Sequence, residues 1–220
     1  MSRPDDEAVP PMSSVFHLFM PLLLLVGAAT PYGLQAQAEP GPPVWNVVEG
    51  SQLDVLTRRS GLLSFFGHDH LVRAERFQGT IAWDAARPER ASVHLVIEAA
   101  GVRVLTSADS SDLATIQRDM ELKVLRPEQF PTIEFRSETI EPREDGVRVR
   151  GALTLVGVTR PVVVDVTVAE AEPGRLRATG VFEARLSDYG IDPPSAVAGT
   201  VKVRDEITFR FDVQAERAPG

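Results

Sequence analysis

The chain has no cysteine among its 220 residues. That excludes disulfides, thiolate metal sites, cysteine nucleophiles, covalent haem attachment and a lipid-modified N-terminal cysteine. Lysine is nearly missing too, with only Lys123 and Lys202 beside an arginine-based set of cations. Positive charge is in deficit, at 23 basic against 31 acidic side chains and a net charge of −8. A surface of that sign argues against nucleic acid as the partner, because phosphate-backbone binding needs basic residues. No P-loop and no dinucleotide glycine fingerprint occurs, which weakens nucleotide-dependent enzyme readings. No Gly-x-Ser-x-Gly elbow is present either. What remains, at 43% hydrophobic and 25% charged residues, has the composition of a globular protein long enough for one domain with appendages.

The one long apolar run is N-terminal. Residues 16–29, from Phe16 to Ala29, include Leu22 to Leu25 and are followed by Ala36-Gln37-Ala38. The run is short for a bilayer span and suits a signal-peptide core with an Ala-x-Ala cleavage site. The expectation is residues 1–38 as signal peptide, cut after Ala38, and a periplasmic or secreted product. Asp5, Asp6 and Glu7 outnumber Arg3 ahead of the run, and a start at Met12 would remove them. Cleavage leaves 28 acidic and 22 basic residues, a net −6. Residues 39–44 read as a short Pro/Gly linker, 45–216 as the folded domain and 217–220 as a tail.

From there period-2 alternation dominates, with apolar residues on one face and polar ones on the other. Phe77, Ile81 and Trp83 share a face across Gly79. Val93, Leu95 and Ile97 do likewise, with His94 opposite. Ile133 and Phe135, then Val147, Val149, Leu153 and Leu155, continue the pattern. So do Val162 to Val168, Leu176 to Leu186, and Ile207, Phe209, Phe211 and Val213. Turn chemistry separates the rows at Glu144-Asp145-Gly146, Gly157-Val158-Thr159-Arg160-Pro161 and Glu172-Pro173-Gly174. About eight such strands in sequence order predict an all-β, up-and-down antiparallel barrel closed on itself. One stretch breaks the rhythm. Leu113, Ile116, Met120 and Val124 form a helical stripe, Ser110-Ser111-Asp112 supply N-cap chemistry and Pro127 stops it. The stripe is read as packing against the barrel.

A barrel of this size is either filled by its own side chains or holds one small ligand, and alternation fits both. Glycines 79, 151 and 180 ease bending and open space inside. Each buried methylene stabilises by about 0.8 kcal/mol, so a long apolar chain would bind well and a short one poorly.

Several ordered motifs carry a family resemblance. Gly151-Ala152-Leu153-Thr154-Leu155-Val156-Gly157-Val158-Thr159-Arg160-Pro161-Val162 is the most telling. Phe130-Pro131-Thr132-Ile133-Glu134-Phe135-Arg136-Ser137, Ser187-Asp188-Tyr189-Gly190-Ile191 and Val203-Arg204-Asp205-Glu206-Ile207 support it, as does Phe65-Phe66-Gly67-His68-Asp69-His70. Together they resemble the YceI-like family of exported, polyisoprenoid-binding proteins. Trp45 to Thr57 departs from that family's usual first strand. The resemblance implies a lipocalin-like eight-stranded antiparallel β-barrel with one amphipathic helix. It also implies a bound isoprenoid lipid, polyisoprenoid or quinone-like, with no further cofactor. Transient membrane contact and a homodimer are compatible with it. Ligand-contact candidates are Phe65, Phe66, His68, His70, Phe77, Ile81, Leu95, Phe135, Val149, Val164, Phe182, Phe209 and Phe211.

The histidines leave alternatives open. His68 and His70 would share a strand face, and with His94 they could form an open zinc site if all three converge. They could instead line a polar mouth that bonds a ligand headgroup, or cap a turn. The function expected is a non-enzymatic carrier. A metal-assisted enzyme on His68 and His70, or an envelope protein with a filled barrel acting through its surface, are the alternatives. No catalytic constellation is evident, and Ser107, Ser110 and Ser111 read as helix-start residues.

Overall fold

The computed structural model describes residues 40–60, 69–105, 110–196 and 201–219. The expected signal segment, and with it Phe65, Phe66 and His68, lies outside the described residues.

Among the described residues, eleven strand segments make eight staves. β1 (Val44–Val47) and β2 (Gln52–Ser60) form the first, and β3 (His70–Ala74) and β4 (Phe77–Ala82) the second. β5 (Ser92–Glu98) and β6 (Val102–Val104) form the third. Then come β7 (Thr132–Arg143), β8 (Gly146–Leu155), β9 (Val158–Glu172) and β10 (Arg175–Arg185), and β12 (Val201–Arg217) closes the set. β11 (Ser195–Ala196) adds a short pairing to β12. Every pairing is antiparallel, and each stave pairs with the next in sequence order. β12 then returns to β1 through Trp45↔Arg217 and to β2 through Phe209↔Val55, so the barrel closes. Closure removes the long exposed edges that an open sheet would carry.

The first three staves are bent, which alternation alone did not show. Between β1 and β2 the chain turns at Gly50, whose φ of 91° needs glycine's freedom. The Ser51 hydroxyl then donates to the Val48 carbonyl at 2.8 Å and accepts the Gln214 N–H at 2.9 Å. A 3-10 turn at Ala99–Gly101 breaks the third stave. The turn expected at Gly157 to Pro161 is tighter than it reads. Val156 and Gly157 alone make it, at φ 45° and 78°, and Thr159 to Pro161 already belong to β9. A β-branched residue at positive φ is costly, and burial of the Val156 side chain offsets that cost. Pro161 is tolerated within β9 because the β9–β10 ladder runs only as far as Val166↔Gly180, so no partner on that side requires its N–H.

The helix α1 (Ser110–Asp119) continues as a π-helical stretch to Leu125. It stops at Arg126, in the left-handed region at φ 47°, whose N–H donates to the Glu121 carbonyl at 2.9 Å. Pro127 disfavours helical backbone in the residue before it, so the stop falls one residue ahead of the proline. Among the described residues β6 has no strand on its outer edge. Gln117 takes that place: its Oε1 accepts the Val104 N–H at 2.9 Å and its Nε2 donates to the Val102 carbonyl at 3.0 Å. A helix side chain thus completes the ladder, and the helix is held against one end of the barrel.

Candidate functional site

The inward rows surround a cavity of about 680 Å³. Of the candidates from sequence, His70, Ile81, Leu95, Phe135, Val149, Val164, Phe182, Phe209 and Phe211 line it. Phe77 does not, although it shares its strand face with Ile81. Phe182 and Phe209, on paired strands, stack with ring centroids 4.7 Å apart and planes 4° from parallel. Offset aromatic pairs of this kind contribute about 0.5–1.5 kcal/mol beyond the area they bury.

The two ends of the cavity differ. At the helix end Thr57, Arg58, His70, Thr115, Asp119 and Ser195 bring polar groups to the lining. Register places them together, since Thr57 lies opposite both His70 and Ile207 and β11 pairs with the start of β12. Asp119 is also paired with Lys123 at 2.9 Å, so its charge is partly balanced. From the helix itself Ile116, Met120 and Val124 face the cavity, while Leu113 does not. The far end is apolar, with Trp83, Ala91, Val168 and Leu176 in its lining. Arginine–carboxylate pairs otherwise stay on the outer surface. Arg148 holds Asp165 through two bonds of 2.7 Å, and Arg177 reaches Asp212 from Nε at 2.8 Å. Asp54 also lines the cavity wall; it is almost fully buried, and Arg73 binds both its oxygens, at 2.6 and 2.8 Å.

His70 and His94 do not converge. His70 lines the cavity, whereas His94 sits on the outer face of β5. There its Nε2 lies 2.6 Å from Glu134 Oε1, which also accepts from Arg136 at 2.5 Å. The hydrogen bond from His94, then the Arg136 charge, hold the Glu134 carboxyl below its ordinary range. Among the described residues no group of three or more histidine, aspartate or glutamate side chains is placed to hold a metal. The zinc alternative that counted on His94 therefore loses that ligand, because adjacent strand positions point to opposite faces.

Sequence reasoning missed the polar lining of the helix end outside His70, and Trp83 as a lining residue although it stood on the inward face. The first was hidden because Thr57, Arg58, Thr115, Asp119 and Ser195 come from three separate elements that only closure brings together. The second was legible: Trp83 continues the inward row of Ile81.

The comparisons agree with this architecture. The model of the YceI-like domain matches residues 52–215. A UPF0312 protein of Shewanella baltica (strain OS185) is 29% identical over 136 residues, covering 59% of this chain and 68% of that one. A UPF0312 protein of Pseudomonas syringae pv. tomato is 30% identical over 139 residues, at 60% and 68% coverage. Among solved structures, Burkholderia cenocepacia BcnA superposes with a TM-score of 0.59 at 18% identity, over 74% of this chain and 95% of that one. A polyisoprenoid-binding domain from Saccharophagus degradans gives 0.58 at 13% identity, over 80% and 99%. With the barrel, the helix and the matched span in agreement, the chain belongs to the YceI-like family.

Proposed function

We propose that this protein is an exported carrier that sequesters an isoprenoid chain inside the barrel and acts by binding rather than by catalysis. The observation that carries the reading is the cavity itself: about 680 Å³, mostly apolar in its lining, with Thr57, Arg58, His70, Thr115, Asp119 and Ser195 at one end and, on the wall, Arg210 and an Asp54 already bound by Arg73. That is the anatomy of a site for an amphipathic chain, since few placed polar groups set orientation and apolar wall supplies affinity. At about 30 Å³ for each water-sized group, the volume accommodates about 20 carbon atoms, or four isoprene units. Each unit contributes about 4 kcal/mol gross. The cost of association is at least about 4 kcal/mol, so one unit barely offsets it and three or four leave a clear surplus. The family match and the name of the Saccharophagus neighbour support the same class of ligand. Export is supported by the apolar run at residues 16–29 and the Ala36-Gln37-Ala38 site.

Native mass spectrometry and lipid extraction of the purified protein test the reading. A retained apolar lipid is expected, together with a mature N-terminus at Glu39 in the exported fraction. Delipidated protein that takes up no fluorescent polyprenyl probe overturns the carrier.

A further inference from the structure

Trp83 is the largest side chain lining the end of the cavity away from the helix. Trp83 directly follows β4, and two hydrogen bonds fix its backbone. Its N–H donates to the Pro43 carbonyl at 2.9 Å, and its carbonyl accepts from Trp45 Nε1 at 3.2 Å. Its indole packs against two separate core clusters. One contains Trp45, Ile81, Leu176 and Val213, and the other Ile140, Val147 and Val149. These residues lie on strands from opposite parts of the ring, so Trp83 is shared by clusters on two sides of the barrel. Among the described residues, the lining around it offers a ligand no charged or hydroxyl group.

We propose that Trp83 is the stop against which the tail of the bound chain ends, so that it sets the chain length the cavity accepts and fixes the head at the helix end. The proposal rests on the carrier reading. A chain of polar head and apolar tail is sorted by the two ends, because an oxygen buried among Ala91, Val168 and Leu176 would forfeit hydrogen bonds that the helix end supplies. Chain added beyond about 20 carbons has no room past the indole and stays in water, where it adds no affinity. Affinity therefore rises by at least about tenfold per isoprene unit and then levels at about four units. Removing the indole frees the space of about nine heavy atoms, reduced by partial collapse of its neighbours, so the plateau moves outward by one to two units, roughly.

Two measurements test this on the full chain. The first titrates delipidated protein with prenyl alcohols of two to eight units. The wild type is expected to level at about four units and Trp83→Ala at about five or six. An unmoved plateau overturns the stop while leaving the carrier standing. Binding of no chain by the wild type overturns both. Trp83→Leu keeps an apolar floor and is expected to give a smaller outward step, should the alanine variant not fold. The second needs no substitution, because Trp45 and Trp83 are the only tryptophans and both sit at this end. A chain brominated at its tail carbon is expected to quench the emission, and one brominated beside its head to leave it nearly unchanged. The reverse pattern overturns the orientation and with it the stop.

Discussion

Replacing Gln117 with alanine tests whether one helix side chain completes the barrel wall. Its amide satisfies two backbone groups on β6, the Val104 N–H at 2.9 Å and the Val102 carbonyl at 3.0 Å. Val102 and Val104 are 7% and 6% exposed, so water is not at hand to replace the amide. A buried backbone group left without a partner costs about 1–3 kcal/mol, so the two together set an expected loss of about 2–5 kcal/mol. At about 2–4 °C per kcal/mol for a chain of this size, the melting temperature falls by roughly 5–15 °C. Gln117→Glu is expected to be no better, because an oxygen then faces the Val102 carbonyl. Arg118→Ala, one residue along on the exposed side of the helix, is expected to change stability by less than about 0.5 kcal/mol. Urea unfolding gives the stability, and hydrogen exchange gives the location, with Val104 losing protection first. A Gln117→Ala protein within about 0.5 kcal/mol of wild type, with Val104 still protected, refutes the reasoning that the amide acts as a strand.

Three further outcomes follow from the geometry. Phe182→Asp places a carboxylate on the cavity wall in place of the ring stacked on Phe209, and is expected to abolish either lipid uptake or folding; normal stability with normal uptake shows that the face is misassigned. Gly151→Ala forces a methyl group against the Arg136 carbonyl oxygen and within 2.8 Å of the Phe135 ring, for an expected loss of about 1–3 kcal/mol in urea unfolding; a neutral result would mean that the wall yields there. Acidification is expected to leave stability flat down to about pH 5 and lower it below that. Asp205 is held below its ordinary range by the Ser187 hydroxyl and N–H, and Asp165 and Asp212 by Arg148 and Arg177. A depressed carboxyl stabilises the fold fully above its unfolded value and loses that contribution as pH falls through the folded one, so stability that rose between pH 5 and 3 would contradict the assignment.

Much of this was readable from residues in order. The inward rows of β7 to β10 and β12 are regular, because one face of each strand is in water and one is not. The helix also read correctly from Ile116, Met120 and Val124. What failed to read is what neighbours supply. Nothing local to Ala99 to Gly101 or Glu75-Arg76 announces that a strand bends there while keeping its stave. Phe77 continues the row of Ile81 and still misses the cavity, because face is set by alternation but depth is set by packing. The polar end of the cavity is assembled by closure from β2, β3, α1 and β11, and no window of sequence contains it.

The question that alternation left even, a packed core or an open barrel, turns on three glycines. Gly79, Gly151 and Gly180 were expected to open space simply by lacking side chains. Each does so by giving its place to a neighbour: Leu95 lies over Gly79, the Phe135 ring over Gly151, and the Phe211 ring over Gly180 at 2.5 Å from where a Cβ would stand. A large side chain that can fold down onto the wall no longer points at the barrel axis. The bulk of Leu95, Phe135 and Phe211 is thereby moved to the perimeter, where it still buries apolar surface and contributes to stability. Space toward the axis is thereby kept while these large side chains stay on the wall. The same large residues that suggest a filled core in the sequence thus form the lining of the cavity, because glycine stands beneath them.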